Sequence, residues 1–328
     1  MRNDMNYGAY KFSATGGPDV LTWTDVEVAA PGADDILIEH AAIGVNYIDI
    51  YHRTGLYPLP LPSGIGVEGA GIVRAVGSNV SFVKEGDRVA YAGGPPGAYS
   101  TGRLVPAGRV VKIPDAVSFE VAAALLFKGL TAQYLTHAAY PVKAGETVLL
   151  HAAAGGVGRI ALQMLKHIGA TVIAVVSTDA KADVATGLGA DHVIIDTEGT
   201  FAPKVREIVP GGVDVVYDSV GRTTFTGSLD SLRQRGMMVS FGTSSGTIAP
   251  NDGGILGAKG SLYFTRPSIA HYMARRDQLE PGAESLFAML TDGIVTADSI
   301  TPYPLSDAAK AQADLEARKT IGSLVLTV

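Results

Sequence analysis

The chain has 328 residues, 47% of them apolar and 18% charged, with 26 Lys+Arg against 32 Asp+Glu for a formal charge of −6. So apolar a composition excludes an intrinsically disordered chain, and the lack of any basic block argues against nucleic acid as the main partner. Zero cysteines exclude a disulfide framework, a thiolate nucleophile and cysteine-ligated zinc, and suit a reducing, cytoplasmic setting.

At roughly 150 residues per domain, two domains are expected. Residues 1–10 lack the apolar core of a signal peptide, and no apolar run reaches the ~18 residues of a membrane span, so neither a leader nor a membrane partner is expected. Up to about Phe127, short runs such as Ile36-Leu37-Ile38, Gly71-Ile72-Val73, Arg88-Val89-Ala90 and Val110-Val111-Lys112-Ile113 are broken by Gly and Pro. This is the pattern of a rolled-up antiparallel β domain. Residues 57–66, with three prolines and two glycines, read as an ordered loop. Near Gly129 the rhythm changes. Thr147-Val148-Leu149-Leu150 predicts a buried strand, and Val157, Ile160, Ala161, Met164, Leu165 and Ile168 predict a helix face closed by Gly169. Strands at 172–176, 193–195, 213–217 and 237–241 alternate with helical segments, which predicts an α/β, doubly wound parallel sheet. The final Leu324-Val325-Leu326 is expected to rejoin the first domain.

Between the first of these strands and its helix stands Ala153-x-Gly155-x-x-Gly158, with Ala in place of the first glycine of a dinucleotide fingerprint. Glycine permits the tight turn, and its missing side chain lets a diphosphate reach the free N–H groups of a helix N-terminus. The alternative is a glycine turn used only for close packing. About 20 residues further on, an acid would hold the adenosine ribose of NAD. This chain has Ser177-Thr178-Asp179-Ala180-Lys181 instead, whose hydroxyls and ammonium favour a 2′-phosphate and hence NADPH. Asp179 turned inward would oppose that phosphate, and Lys181 could simply solvate its helix. The seven histidines lack metal-site spacing. Ser244-Ser245, within Phe241-Gly242-Thr243-Ser244-Ser245-Gly246, forms no nucleophile elbow; its hydroxyls and amides are expected to hold a ligand at the carboxyl end of a strand.

The segment His151-Ala152-Ala153-Ala154-Gly155-Gly156-Val157-Gly158 resembles that of the zinc-free quinone oxidoreductases, the zeta-crystallin-like branch of the medium-chain dehydrogenase/reductase superfamily. So do Asn46-Tyr47-Ile48-Asp49, Arg53-Thr54-Gly55-Leu56-Tyr57, Gly86-Asp87-Arg88-Val89 and Lys128-Gly129-Leu130-Thr131-Ala132. Tyr217-Asp218-Ser219-Val220-Gly221, Ser240-Phe241-Gly242 and Thr265-Arg266-Pro267-Ser268 extend the likeness over almost the whole chain.

The resemblance implies a GroES-like catalytic domain in two pieces, 1–128 and 267–328, around a Rossmann domain at 129–266. It also implies NADPH-dependent reduction of a small-molecule quinone by a homodimer. Zinc-dependent relatives carry a Cys and a Gly-His-Glu at the catalytic metal; here Asn46 takes the Cys position and Gly66-Val67-Glu68 lacks the His, so no metal is expected. By matching motif, Asn46 and Tyr51 border the nicotinamide end and Tyr134 lies near the cofactor. Gly155, Gly156, Val157 and Gly158 meet the diphosphate, and Ser177, Thr178 and Lys181 surround the 2′-phosphate. Val220, Phe241, Ser244 and Ser245 line the ribose and nicotinamide side, and Arg318 contacts the cofactor. Asp196 replaces a Tyr that relatives place beside the phosphate, a departure that would weaken NADP binding.

The expected reaction is hydride transfer from nicotinamide C4 to a quinone, with Asn46, Tyr51 and Tyr57 on the catalytic side and the proton coming from water or a tyrosine. The plainer alternatives are Asn46 as a helix cap, Asp49 as a backbone anchor and the two tyrosines as packing aromatics. Competing functions are C=C reduction of enals or enones on the same scaffold, non-catalytic NADPH binding, and a Rossmann methyltransferase.

Overall fold

The computed structural model describes residues 5–250 and 253–328. Strand β1 (Met5–Phe12) pairs antiparallel with β2 (Thr22–Val28). Strand β3 (Asp35–Val45) runs into helix α1 (Tyr47–Thr54), which Gly55 ends in the left-handed conformation at φ 81°, the usual stop for a helix. A two-residue strand, β4 (Ser63–Gly64), pairs with β1, so the proline-rich segment read as loop contains a short strand. Strands β5 (Glu68–Val76), β6 (Arg88–Ala92), β7 (Gly102–Pro106) and β8 (Val110–Lys112) follow. β3 lies between β5 and β7, both antiparallel to it. Ile36, Ile38, Ile43, Val73, Val89, Tyr91 and Val105 form the core of this β-rich part.

Helix α2 (Phe119–Tyr134) continues into a π-turn at Leu135–Ala139. The rhythm change near Gly129 is therefore a point inside one continuous helix. β9 (Thr147–His151), α3 (Gly156–Ile168), β10 (Thr171–Val176), α4 (Asp179–Gly187), β11 (His192–Ile195), α5 (Ala202–Ile208), β12 (Val213–Asp218), α6 (Phe225–Ser231) and β13 (Leu232–Ser240) then alternate. Next come α7 (Gly254–Ala258), β14 (Tyr263–Thr265) and α8 (Ile269–Tyr272). The sheet order is β11-β10-β9-β12-β13-β14, every pair parallel. Numbered from β9, that is 3-2-1-4-5-6, with the order reversing between β9 and β12. Val148, Leu149 and Leu150 are fully buried, as strands covered by helices on both faces must be. On α3, Ile160, Ala161, Met164 and Leu165 are buried, and Gly169 at φ 90° ends the helix.

Helix α9 (Arg276–Thr291), strand β15 (Ile300–Pro304), helix α10 (Ala308–Glu316) and strand β16 (Ser323–Thr327) complete the chain. β16 pairs antiparallel with β3, placing Leu324 and Leu326 in the core of the β-rich part. The chain divides into two compact units. One comprises the described residues up to Leu130 with Met273–Asp292 and Ala297–Val328; the other comprises Thr131–Tyr272 with Gly293–Thr296.

Candidate active site

In the parallel-sheet unit, β9 ends at His151 and the chain turns through Ala152, which adopts φ 52°, before α3 begins after Gly155. A left-handed alanine is a strained backbone. It is held by the Gly155 N–H donating to the Ala152 carbonyl at 2.8 Å. A Cβ at Gly158 would lie 2.2 Å from that carbonyl oxygen and 2.8 Å from the Ala153 Cα. Only glycine fits there. The first turn of α3 contains no acid, and no side chain caps its N-terminus. Its amides and the positive end of the helix dipole therefore suit an anion.

β10 ends at Val176. The Ser177 hydroxyl lies 3.3 Å from the Lys181 Nζ, and Thr178 caps α4 by accepting from the Lys181 N–H. Asp179 is exposed in the first turn of α4. Asp196 accepts from the N–H groups of Gly199 and Thr200 and from the Thr200 hydroxyl, so its carboxylate organises its own loop.

After β12, Asp218 is fully buried and accepts four hydrogen bonds, from the Val220 and Gly221 N–H groups and the Thr224 and Ser228 hydroxyls. His151 joins the chain through Ser228 at 3.0 Å, tying the ends of β9 and β12 together. The loop after β13 packs on this one. The Ser244 and Ser245 amides donate to the Ser219 and Val220 carbonyls, and the Ser245 hydroxyl donates to the Val220 carbonyl and accepts from the Thr223 N–H. The expectation that the amides of this pair hold a ligand is therefore corrected: both brace one loop against the other. Val220 and Phe241 are half-buried at this edge. Tyr134 is buried and stacks on Tyr272, ring centroids 4.8 Å apart. Burial pushes its phenol far above the ordinary value, Tyr272 adds to the rise and the Arg266 guanidinium opposes it. Because the strands are parallel, Gly155–Gly158, Ser177, Thr178, Lys181, Val220, Phe241, Ser244 and Ser245 all gather at one edge of the sheet.

In the β-rich unit, Asn46 immediately precedes α1. Its N–H donates to Asp49 Oδ2 at 2.9 Å and its side-chain Nδ2 to Glu68 Oε2 at 2.8 Å. Asp49 also accepts from the Tyr99 hydroxyl and is pushed up to about 7 by burial. Tyr51 stands edge-on to Tyr57 with centroids 5.1 Å apart, and Tyr47 is 6.2 Å from Tyr51. Burial raises the Tyr47 phenol while the Arg318 guanidinium draws it back down. Arg318, at φ 56° just after α10, thus joins an aromatic group built on α1.

The alcohol dehydrogenase GroES-like domain family matches residues 32–115, and the zinc-binding dehydrogenase family matches 156–286. "Quinone oxidoreductase 1" of Escherichia coli is 47% identical over 320 residues, 96% of this chain and 98% of that protein. The chain belongs to the quinone oxidoreductase family of medium-chain dehydrogenases/reductases. A crystal structure of the E. coli quinone oxidoreductase complexed with NADPH has TM-score 0.95 and 46% identity, covering 98% of this chain and 100% of that one. Within the same superfamily, "2-haloacrylate reductase" of Burkholderia sp is 44% identical over 95% of this chain and 96% of its own length.

This quinone oxidoreductase family member does not fit the metal that one matching family's description names. Asn46 and Glu68 already satisfy each other, and the Lys128 ammonium lies 3.6 Å from Glu68. Among the described residues no group of three or more His, Cys, Asp or Glu could hold a metal ion. Sequence reasoning did not single out Tyr47, Glu68, Lys128, Asp218 or Arg266 as site residues. For Tyr47 the signal was its i,i+4 spacing to Tyr51 on one helix face. For Glu68 and Lys128 it was a charge inside an otherwise apolar run, which needs a partner when buried.

Proposed function

We propose that this chain is an NADPH-dependent quinone reductase that passes a hydride to a quinone without a metal. The observation that carries the reading is the uncapped, acid-free N-terminus of α3 at the point where the strand order reverses, beside a second strand that ends in Ser177 and Lys181. Ligands of open α/β sheets bind at that edge. The residues fit the cofactor: the amides at the uncapped, acid-free start of α3 can take a diphosphate, and an ammonium 3.3 Å from a hydroxyl can take a 2′-phosphate.

In this reading the amides of Gly155, Gly156, Val157 and Gly158 bind the diphosphate. Ser177, Thr178 and Lys181 bind the 2′-phosphate. Val220, Phe241 and the loop of Ser244 and Ser245 shape the ribose and nicotinamide side, with Tyr134 nearby, while Asn46, Tyr51 and Arg318 serve the nicotinamide end. When bound, the cofactor supplies a hydride from C4 of its dihydronicotinamide. A quinone accepts hydride readily because the resulting oxyanion is aromatic, so the protein's task is placement and exclusion of water. Tyr51 and Tyr57 stand as the candidate groups to hold a proton for that oxyanion.

The second reading, reduction of an activated C=C bond, is supported by the likeness to a 2-haloacrylate reductase. Rates of NADPH and NADH oxidation with benzoquinone, phenanthrenequinone and 2-alkenals separate the two. The primary reading requires quinones to outrun alkenals and NADPH to outrun NADH. Turnover of alkenals alone would replace it, and tight NADPH binding with no turnover would leave a binding protein.

The same reading takes 1–128 with 267–328 as the catalytic domain and 129–266 as the cofactor domain, and places the protein in the cytoplasm as a homodimer. No helix among the described residues is long and apolar enough to cross a membrane. The dimer is supported by β14, at one end of the sheet, where Tyr263 is 57% and Phe264 39% exposed. Edge strands with apolar side chains invite pairing. Sedimentation of the wild type against Tyr263→Lys/Phe264→Lys tests it: a monomeric wild type sinks the idea.

A further inference from the structure

Three elements of the β-rich unit converge on Asn46. Asp49 of α1 accepts its N–H, Glu68 of β5 accepts its side-chain Nδ2, and α2 anchors Glu68 in turn. Glu68 and Asp49 are fully buried, and Lys128 is 7% exposed. Glu68 Oε1 accepts the Phe127 N–H at 2.5 Å, while Oε2 takes the Asn46 amide and faces the Lys128 ammonium at 3.6 Å. Packing leaves no slack: a Cβ on Gly44 would lie 2.2 Å from Glu68 Oε2 and 2.3 Å from the Ala123 carbonyl oxygen.

Burial pushes the Glu68 carboxyl up, and its three neighbours, the Lys128 ammonium, the Asn46 amide and the Phe127 N–H, oppose that rise; all three are donors, so an ionised carboxylate is the partner they fit. An ionised carboxylate only accepts, which forces the Asn46 amide to turn its NH₂ inward. With its NH₂ on Glu68, the Asn46 Oδ1 faces the first turn of α1, where a capping box pairs the Asn46 side chain with the Asp49 N–H, and its second lone pair remains to accept. Buried charges are costly to keep for stability alone, and here the pair is spent on a single side-chain orientation.

We propose that Glu68 is a positioning residue: braced by Lys128 and the Phe127 N–H, it locks the Asn46 amide so that its carbonyl oxygen is the acceptor offered to the nicotinamide half of NADPH. The proposal rests on the reading that Asn46 meets the cofactor there. Lys128 acts one step further back, by holding Glu68.

The test replaces the ion pair with apolar residues of similar volume, Glu68→Met/Lys128→Met, a change that buried pairs often tolerate in stability. It is made in the wild type and in Asn46→Ala, and affinities for NADPH and for adenosine 2′,5′-bisphosphate are measured by calorimetry. The pair replacement should weaken NADPH binding by about tenfold, the worth of one good hydrogen bond. It should leave the adenosine bisphosphate unaffected and cost nothing further once Asn46 is alanine. Equal losses in both backgrounds, or no loss in either while Asn46→Ala alone weakens binding, overturn the positioning role. An Asn46→Ala variant that binds NADPH like the wild type overturns the underlying reading as well. Should the double replacement fail to fold, Glu68→Asp keeps the charge beside Lys128 but withdraws the oxygen from Asn46, and the same cycle applies.

Discussion

The glycine turn after β9 and the polar cluster around Asn46 solve opposite problems. The turn is built of backbone within one short segment, and it works by what is missing: at Gly158 even a methyl group would meet the Ala152 carbonyl at 2.2 Å. The cluster is built of side chains from α1, β5 and α2, and it works because each buried charge has a partner. The first kind of site is broken by adding atoms, the second by removing them.

The largest effect should come from Lys128→Ala, which leaves Glu68 as a buried carboxylate without its cation. A loss of about 3–5 kcal/mol is expected in denaturant unfolding; a loss under ~1 kcal/mol would remove the contrast between the two regions.

Asp49 sharpens the same side of the comparison. Burial raises its carboxyl from 3.8 to about 7, so the folded chain holds a proton that the unfolded chain has released. Stability from this group is fully present below pH 3.8 and is lost as pH rises toward about 7. Asp49→Asn should flatten that decline, by up to ~4 kcal/mol across the window; stability-against-pH curves that superimpose would refute it.

On the backbone side, Gly158→Ala should cost about 1–3 kcal/mol from overpacking and abolish detectable NADPH uptake in calorimetry. Retained uptake would mean that the turn only packs. Lys181→Ala should raise the NADPH dissociation constant about 10- to 100-fold, the range for a lost charge-assisted hydrogen bond, and leave NADH unchanged. Smallest of all, Tyr51→Phe or Tyr57→Phe should lower turnover less than about tenfold. A fall above ~10³-fold in steady-state kinetics would instead mark that tyrosine as the proton donor.

Most of the parallel-sheet unit was readable because its signals are local. The buried run of β9, the periodic face of α3 and the cap at Gly169 each follow from residues within a few positions of one another. Lys181 beside Ser177 follows from one turn of helix. Less legible were features that depend on what lies across the fold. The loop of Ser244 and Ser245 was expected to offer its amides to a ligand, and both amides instead hold the neighbouring loop after β12. The point where the rhythm changes near Gly129 lies within α2, because periodicity reports which faces are apolar and not whether a helix passes from one unit to the next.

The order of apolar runs and glycines by itself determined the doubly wound sheet and the place of its glycine turn, since both arise from short-range backbone geometry and side-chain period. Only the tertiary structure decided how Asn46 is oriented. Its partner Glu68 is 22 positions away, and the N–H that anchors Glu68 is 59 positions further on. A buried carboxylate can be held only by donors that folding brings to it, and no spacing along the chain announces which donors those will be.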